Sequence, residues 1–495
     1  MTGIITRIFS RKNKSSSANK TPNQSGRKNN NHEIATSDNL KILSRDQHCI
    51  SRKNISKNAL KVLYKLNEAG YQAYLVGGGV RDILLGLAPK DFDVATNATP
   101  EEVQAEFRNC RLIGRRFRLA HILFGREVIE VATFRAGHDQ GNTSSTNHDQ
   151  RPLDSRPKKH KGKDDRARKS DHGMLVRDNV YGSIIEDAFR RDFTVNALYY
   201  TVSDFSVIDY TQGLEDLAAR KLRLIGDPDE RYREDPVRIL RAIRLSCKLD
   251  LTIDKQSAEP IAELAPLLSH VSSARLWDES NKLLLAGHAE KTWNSLCERK
   301  VAQYLFPQTI ESLKNSVNSE SSQAAHNFIK SALTNTDKRI ANGQPVTPAF
   351  LFAVFLWQPL QDRVSHFQSK GMPAYEAHLK AASIVMDKQR ETIGIPKRFS
   401  AIAKEMWALQ FRLTNRRSKG VQSLISHVRF RAAYDFLCLR AGQDEELKEL
   451  AKWWTDYQDA DTKDRDLLLK NVIHPDRKKR RSNKNSHKNK PKRDK

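Results

Sequence analysis

Apolar residues in the first part of the chain repeat with both of the periods that mark regular secondary structure. Leu60, Leu63 and Leu66 recur at helical spacing, which predicts a helix over residues 55–69 with Gly70 as its C-cap. Short apolar runs then predict strands at 74–76, 92–96, 111–113, 121–124 and 128–134. Together these patterns indicate a domain of mixed helix and strand.

Capping signals and later periodicity extend this prediction along the chain. Thr99 and Glu102 form a capping box around Pro100, which predicts a helix to about Phe107. Beyond residue 180 the pattern predicts a helix over 184–200, strands at 207–210 and 222–225, and almost continuous amphipathic helix over 234–457. We therefore expect an N-terminal domain of helices and strands followed by a long all-α portion.

Three segments, 1–36, 141–172 and 477–495, contain almost no large apolar residues. Their richness in Lys, Arg, Ser, Asn and Asp predicts disorder. Residues 1–30, 151–172 and 477–495 carry net charges of +7, +5 and +10, which account for +22 of the formal +26 of the 495-residue chain. So large a charge favours a polyanionic partner, either nucleic acid or an anionic membrane surface.

Cysteine spacing and apolar run length restrict the class of protein. The five cysteines are scattered and never spaced as CxxC, which argues against a disulfide scaffold or a structural zinc site and fits a reducing cytoplasm. The longest apolar run, 349–357, is about half the ~18 residues that a transmembrane helix needs. Residues 1–30 have the composition of a transit peptide, but a solvated basic arm is the preferred interpretation.

The strongest chemical signal is a glycine triplet followed by two aspartates. The glycines at 77–79 end one predicted strand and open a helix whose first turn holds Arg81, so that backbone N–H groups can approach phosphate oxygens. Asp91 and Asp93 share a face if they lie in a strand, and paired carboxylates suit Mg²⁺. Although each feature is usually structural when it occurs by itself, the combination predicts metal-assisted phosphoryl or nucleotidyl transfer.

A second motif, at 186–198, contains Arg191 and Asp192, which the charge pattern alone places on an exposed, salt-bridging face. Its apolar members recur at helical spacing and are expected to pack inward: Phe189, Phe193, Ala197 and Tyr200. His48, His121 and His172 are isolated in the sequence and are expected to be structural or solvated.

A third motif begins a predicted helix at Pro236. Glu234 and Asp235 then lie near its positive N-terminal end, and Arg238 and Arg241 share the adjacent face. Carboxylate and guanidinium groups in fixed positions can read the edge of a base. An amphipathic helix with i,i+3 charges is the simpler alternative.

Taken in order, these motifs resemble those of the class II nucleotidyltransferases, the family of tRNA CCA-adding enzymes and bacterial poly(A) polymerases. The resemblance rests on residues 78–82, 91–93, 190–197 and 234–241, and extends loosely through 430–435 and the basic tail. The chain is similar to the poly(A) polymerase branch in particular at residues 89–100, 114–121 and 231–236.

The resemblance implies an α+β fold, with a polymerase-β-like nucleotidyltransferase head built on a mixed β-sheet and an all-α neck, body and tail. The implied divisions are a basic disordered arm (1–48), the head (49–212, with a basic insert at 141–172), a neck with the base-binding motif (213–275), an RNA-binding body and tail (276–474), and a basic disordered tail (475–495). Whether the insert guides RNA or is inert stays open.

The resemblance also implies the roles of individual residues. Asp91 and Asp93 would bind two Mg²⁺ ions and, with Asp192, form the catalytic set. The implied nucleotide-binding residues are Gly78, Gly79, Arg81, Asp82, Arg191, Glu234, Asp235, Arg238 and Arg241. Glu130 is a rival for the third carboxylate, because its predicted strand neighbours the strand of Asp93.

These expectations converge on template-independent transfer of AMP from ATP to RNA 3′ ends in the cytoplasm. We expect RNA to be bound mainly through phosphates, with a link to mRNA processing and RNA turnover and with RNA-decay proteins as possible partners. A CCA-adding enzyme, which shares the catalytic motifs, is the nearest alternative. A catalytically inactive RNA-binding regulator and a membrane-surface protein are the alternatives from other classes.

Overall fold

The computed structural model describes residues 40–114, 118–136, 168–169, 175–177, 180–315, 320–416 and 418–472. They form two compact units that divide between Leu268 and Ser269. The segments predicted to be disordered lie outside the described residues, except that Arg168–Lys169 at the end of the insert pairs with Leu175–Arg177. Within the described chain, no helix is both long and apolar enough to cross a membrane.

The first unit contains the strands. Their bounds are β1 Lys41–Leu43, β2 Ala73–Val76, β3 Asp93–Thr96, β4 Cys110–Ile113, β5 Leu119–Phe124, β6 Glu127–Thr133, β7 Arg168–Lys169, β8 Leu175–Arg177, β9 Leu198–Thr201, β10 Val207–Asp209, β11 Lys221–Leu222 and β12 Thr252–Ile253. Five of the strand predictions in the first 134 residues are confirmed, with shifts of one or two residues at their ends.

In the described part of the chain, eight strands form one mixed sheet in the order β1-β10-β9-β2-β3-β6-β5-β4. All neighbours are antiparallel except β3 and β6, which are parallel. The register places one row of residues directly opposite one another: His121, Glu130, Asp93, Val76 and Tyr199. Because cross-strand partners share a face, this row brings the carboxylates of β3 and β6 together.

The helices of the first unit are α1 Lys57–Glu68, α2 Gly78–Leu84, α3 Pro100–Glu106, α4 Ile184–Arg190, α5 Gly213–Ala218, α6 Pro228–Glu234, α7 Val237–Leu249, α8 Lys255–Ala258 and α9 Ile261–Leu264. Short 3₁₀ turns occupy Arg45–Gln47, Arg52–Asn54, Thr194–Asn196 and Ala265–His270. The predicted capping box is confirmed, since the Thr99 N–H donates to Glu102 at 2.7 Å and the Glu102 N–H donates to the Thr99 hydroxyl. Leu63 and Leu66 of α1 are fully buried, as their spacing predicts, whereas Leu60 is only partly buried.

The predicted helix over 184–200 is wrong in its second half. Helix α4 ends at Arg190, Arg191 is extended, and the chain continues through the Thr194–Asn196 turn into strand β9. The Asp192 carboxylate accepts the Phe193 N–H at 2.8 Å, a local bond that competes with helical pairing. Consequently Phe189 faces outward at 38% exposure, whereas the expectation of burial is confirmed for Phe193, Ala197 and Tyr200.

The head begins earlier than the predicted boundary at residue 49. Strand β1 pairs with β10, and Leu43 is buried, so residues 40–48 belong to the folded unit rather than to the arm. His48 is structural, as expected: its Nδ1 accepts the Ile50 N–H at 3.1 Å and its Nε2 lies 2.8 Å from the Phe205 carbonyl. A strand of three residues is too short for its alternation of side chains to be distinguished from a loop.

The second unit is helical, as predicted. Its helices are α10 Ser273–Leu284, α11 Ala289–Glu298, α12 Ala302–Leu305, α13 Pro307–Asn315, α14 Glu320–Ala341, α15 Pro348–Phe355, α16 Trp357–Ser369, α17 Ala374–Thr392, α18 Lys397–Leu413, α19 Ser418–Ile425, α20 Phe430–Arg440, α21 Glu445–Asp459 and α22 Thr462–Lys470, with a 3₁₀ turn at Ala441–Gln443. Aromatic residues fill one of its cores, where Trp454 and Tyr457 are almost completely buried. The five cysteines all lie within the described residues, and none of them forms a disulfide.

Candidate active site

The glycine turn lies between β2 and α2, where the sheet row meets the first helix after it. Gly77 is the N-cap of α2 and has a φ of +68°, a left-handed conformation that favours glycine. A side chain at this position would begin 3.7 Å from Arg191 Nη1 and 4.0 Å from Asp93 Oδ2. The turn therefore places bare backbone between a guanidinium and a carboxylate.

Asp93 is the first residue of β3 and lies directly opposite Glu130 of β6. Burial, reinforced by the negative charges of Glu130 and Asp91 and opposed by the nearby guanidiniums, raises the pKa of Asp93 to about 6. Asp91 is exposed and precedes the strand, so the expectation that both aspartates lie within one strand is wrong. The carboxylates nevertheless form one mutually repelling group, which a cation would stabilise.

The carboxylate group fits Mg²⁺ only if the substrate contributes oxygens. Among the described residues, no cluster of three or more His, Cys, Asp or Glu side chains is arranged to hold a metal ion without other ligands. Mg²⁺ commonly takes one or two protein carboxylates and completes its octahedron with phosphate oxygens and water. Asp91 and Asp93 match that donor set, with Glu130 beside them.

Arg81 and Asp82 form a buried pair beneath the glycine turn. Arg81 is 4% exposed, and its Nε donates to the Asp82 carboxylate at 2.8 Å while Nη1 donates to the Asn196 side chain. Lys248 of α7 approaches the other Asp82 oxygen at 3.6 Å. These contacts hold the turn against α7 and the Thr194–Asn196 turn, and the predicted contact of Arg81 and Asp82 with nucleotide stays a prediction.

Asp192 is buried and fully engaged by donors. Its carboxylate accepts Nε of Arg241 at 2.7 Å, the Asn196 amide at 3.0 Å and the Phe193 N–H at 2.8 Å. Burial alone would raise the pKa of Asp192, but the Arg241 guanidinium and the two other donors hold it well below its usual range. Glu130, the other candidate for the third carboxylate, lies directly opposite Asp93, and which of the two is catalytic stays a prediction.

Arg191 is held by a phenol and a carboxylate that the sequence did not single out. Its Nε donates to Tyr199 Oη at 3.0 Å and its Nη2 to Asp187 at 2.9 Å, and Tyr199 donates to Asp187 at 2.7 Å. Burial alone would lower the pKa of Arg191, but Tyr199 and Asp187 raise it above its usual range. The remaining nitrogen, Nη1, points toward Gly77, so this triad fixes a permanent positive charge at the glycine turn.

The third motif folds differently from its prediction. Glu234 is the last residue of α6 and Asp235 is its C-cap, while Pro236 is the N-cap of α7. The two acids therefore join two helices rather than opening one. The predicted apolar side of α7 is confirmed by three buried residues, Leu240, Ile243 and Leu245.

Glu234 binds two arginines at once. Its Oε2 accepts Nη1 of Arg231 at 2.9 Å and Nη1 of Arg238 at 2.7 Å. Arg231, which sequence reasoning assigned no role, also donates at 2.6 Å to the carbonyls of Arg190 and Arg191. Burial and repulsion from Arg238 lower the pKa of Arg231 to about 10. This arginine ties α6 to the end of α4 and so brings the second and third motifs together.

Comparison with known proteins relates the chain to poly(A) polymerases. Three family models match: the "Poly A polymerase head domain" at 73–223, the "Probable RNA and SrmB- binding site of polymerase A" at 250–313 and the "Polymerase A arginine-rich C-terminus" at 370–488.

Identity and coverage are higher for the poly(A) polymerase I below than for the CCA-adding enzyme. Poly(A) polymerase I of Escherichia coli O6:H1 is 49% identical over 420 residues, 84% of this chain and 85% of its own length. A CCA-adding enzyme of Leuconostoc mesenteroides is 33% identical over 271 residues, 55% of this chain and 60% of its own. The crystal structure of the Bacillus stearothermophilus CCA-adding enzyme with CTP has a TM-score of 0.50 at 22% identity and covers 79% of this chain and 81% of its own, a similarity of fold.

Proposed function

The chain belongs to the poly(A) polymerase I family and is a polynucleotide adenylyltransferase, and from this premise we propose that it transfers AMP from ATP to the 3′-hydroxyl of RNA without a template. The observation that carries the proposal is the meeting of the Gly77 turn, Asp93, Glu130 and Arg191 in one place. Backbone, paired carboxylates and a fixed guanidinium are what nucleotidyl transfer requires.

Asp91 and Asp93, with Glu130 beside them, would hold two Mg²⁺ ions, which when bound supply neutralisation of charge at the reacting phosphate and at the pyrophosphate leaving group. Glu130 is half-exposed next to Asp93, so we infer that it accepts the proton of the primer hydroxyl. Gly77 lets the triphosphate approach the backbone, and Arg191 Nη1 supplies a donor there.

We propose that the arginines of the third motif select adenine. Glu234 fixes the Arg238 guanidinium, and Asp192 fixes that of Arg241, so both arginines have restricted orientations. A guanidinium held in this way presents donors in one plane, which suits recognition of a base edge. Asp192 thus acts through Arg241, while Arg231 acts by holding Glu234.

RNA would bind mainly through its phosphates. The chain carries a formal charge of +26, and residues 250–313 match the model described as a probable RNA-binding site. Binding through phosphates predicts a strong dependence of affinity on salt and little preference for sequence. We further propose a cytoplasmic role in mRNA processing and RNA turnover, in which RNA-decay proteins are expected partners.

The experiment that tests the proposal supplies one nucleotide at a time. Purified chain, a short 5′-labelled RNA and Mg²⁺ are incubated separately with ATP, CTP, GTP or UTP, and products are sized on a gel. Long tails from ATP alone support poly(A) synthesis. Extension by CTP, with a stop after CCA on a tRNA lacking its end, would identify a CCA-adding enzyme instead, and no extension with any nucleotide would identify an inactive RNA-binding protein.

A further inference from the structure

A histidine faces the Glu130 carboxylate from the side opposite Asp93. His121 of β5 lies directly opposite Glu130 of β6, as Glu130 does opposite Asp93 of β3. His121 Nε2 is 3.3 Å from Glu130 Oε1. The His121 side chain is 20% exposed and that of Glu130 is 50% exposed. Glu130 is therefore a long, half-solvated side chain flanked by two fixed neighbours.

The environment of His121 presents the Glu130 carboxylate as the acceptor for its Nε2 atom. This nitrogen is buried, and within the described part of the chain it makes no regular hydrogen bond, so that the Glu130 oxygen is the acceptor it faces. A buried N–H without an acceptor is costly, which favours the tautomer and ring orientation that direct Nε2–H at Glu130. The histidine is thus constrained from one side by burial and from the other by the carboxylate.

Glu130 needs such a constraint to remain beside Asp93. Two carboxylates on adjacent strands repel each other, and the repulsion is part of what raises the pKa of Asp93. A half-exposed glutamate can escape by rotating into solvent, because several rotamers are open to it. A donor on the far side opposes that rotation, since it attracts the same carboxylate within the row.

We propose that His121 is a positioning residue that donates through Nε2–H to Glu130 and holds this carboxylate beside Asp93. The inference rests on the proposed function, because it gives Glu130 its role at the primer hydroxyl and the cation. His121 touches neither substrate nor cation in this account. It acts through Glu130, as residues behind metal-binding carboxylates commonly do.

The next residue along the row provides a matched control. Arg111 of β4 lies directly opposite His121 and is exposed. If the row served instead to bind RNA phosphates, Arg111 and His121 would both contribute to RNA affinity. If His121 positions Glu130, Arg111 has no part in the chemistry.

The experiment compares His121→Leu, His121→Gln and Arg111→Leu in the full chain. Glutamine retains an N–H donor that can reach Glu130, whereas leucine fills the space without one. For His121→Leu we expect kcat for AMP addition to fall about 10-fold or more, with KM for ATP and for RNA changed less than about twofold. His121→Gln should restore kcat to within about threefold of wild type, and Arg111→Leu should leave kcat unchanged.

A second readout does not depend on turnover. Mn²⁺ serves as a probe for the cation, and free Mn²⁺ is followed by electron paramagnetic resonance without nucleotide or RNA. We expect His121→Leu to bind Mn²⁺ several-fold more weakly than wild type, and Arg111→Leu to bind it normally. Unchanged kcat and Mn²⁺ affinity in His121→Leu would overturn the inference, as would a rise in KM for RNA shared by both leucine variants. If wild type itself failed to extend RNA, the proposed function would fail, and a loss of Mn²⁺ affinity confined to His121→Leu would still support the positioning of Glu130.

Discussion

The ion pair between Asp192 and Arg241 allows a structural role of Asp192 to be tested separately from a catalytic one. The perturbation is Asp192→Asn, which preserves the shape of the side chain and the acceptor for the Phe193 N–H but removes the charge that holds Arg241. The amide would then place its own N–H groups against a guanidinium. We expect the folded head to lose stability even in the absence of nucleotide and metal.

The magnitude follows from the exposure of the two partners. Asp192 is 11% exposed and Arg241 is 35% exposed. Breaking a fully buried ion pair costs about 3–5 kcal/mol. Because water reaches Arg241, we expect roughly 2 kcal/mol for Asp192→Asn and a coupling free energy with Arg241→Gln of roughly 1–2 kcal/mol in a double-mutant cycle.

The assay is urea unfolding of wild type, the two single variants and the double variant, followed by circular dichroism without Mg²⁺ or nucleotide. In the same set, Mn²⁺ affinity should be nearly unchanged in Asp192→Asn, whereas KM for ATP should rise because Arg241 is no longer oriented. A coupling free energy below about 0.5 kcal/mol, together with loss of Mn²⁺ binding, would refute this reasoning and support the expected place of Asp192 in the catalytic set.

Three further outcomes follow from the site. Because the pKa of Asp93 is raised to about 6 in the folded state, the metal-free folded chain binds more protons than the unfolded chain between about pH 4 and 6. The free energy of unfolding should therefore fall by up to about 3 kcal/mol as pH rises from about 4 to 6. Urea titrations should show this fall in wild type and not in Asp93→Asn. Gly77→Ala should abolish most AMP addition. The control Gly70→Ala, also at positive φ but in open space, should cost about 1 kcal/mol of stability and leave kcat unchanged. Equal kcat in the two variants would count against the role of the glycine turn. Tyr199→Phe removes a hydroxyl bonded to Asp187 and Arg191 and should raise KM for ATP several-fold in steady-state assays, with Tyr200→Phe as the neighbouring control.

Local patterns predicted most of the secondary structure because the relevant forces are local. The helix at 57–68 and the capping box at Thr99 each depend on residues within one or two turns. The segment after Arg190 was mispredicted because its apolar residues fit helical spacing equally well. The strand forms there because β9 fills the sheet between β2 and β10, a tertiary requirement that spacing does not encode.

In the candidate site, too, some residues were predicted from local sequence and others are brought together only by the fold. Asp93 and the glycine turn are close in sequence and were predicted from it. The positions of Glu130 and His121 depend on strand register, which only the assembled sheet defines. Tyr199 and Arg231 carry no signal of their own in a single sequence, because Tyr199 reaches Arg191 from the next strand and Arg231 reaches Glu234 and the carbonyls of Arg190 and Arg191 from helix α6. Asp187 precedes Arg191 by four residues, so its ion pair does have a local spacing in the sequence.

The charge distribution gives the appendages and the head separate tasks. Most of the net charge lies in segments 1–30, 151–172 and 477–495, whereas the proposed selection of nucleotide rests on Arg238 and Arg241, each held by a single acid in the first unit. Capture of RNA should therefore respond to salt much more strongly than the choice of nucleotide does.

The most direct test of the central claim separates chemistry from binding at Asp93. RNA extension with ATP and Mg²⁺ is measured for wild type, Asp93→Asn and the exposed control Asp204→Asn, and RNA affinity is measured for the same three proteins by filter binding. The account predicts that Asp93→Asn binds RNA within about twofold of wild type but adds no AMP, because binding energy comes from phosphates and chemistry from the carboxylates. Tails of normal length from Asp93→Asn would contradict it.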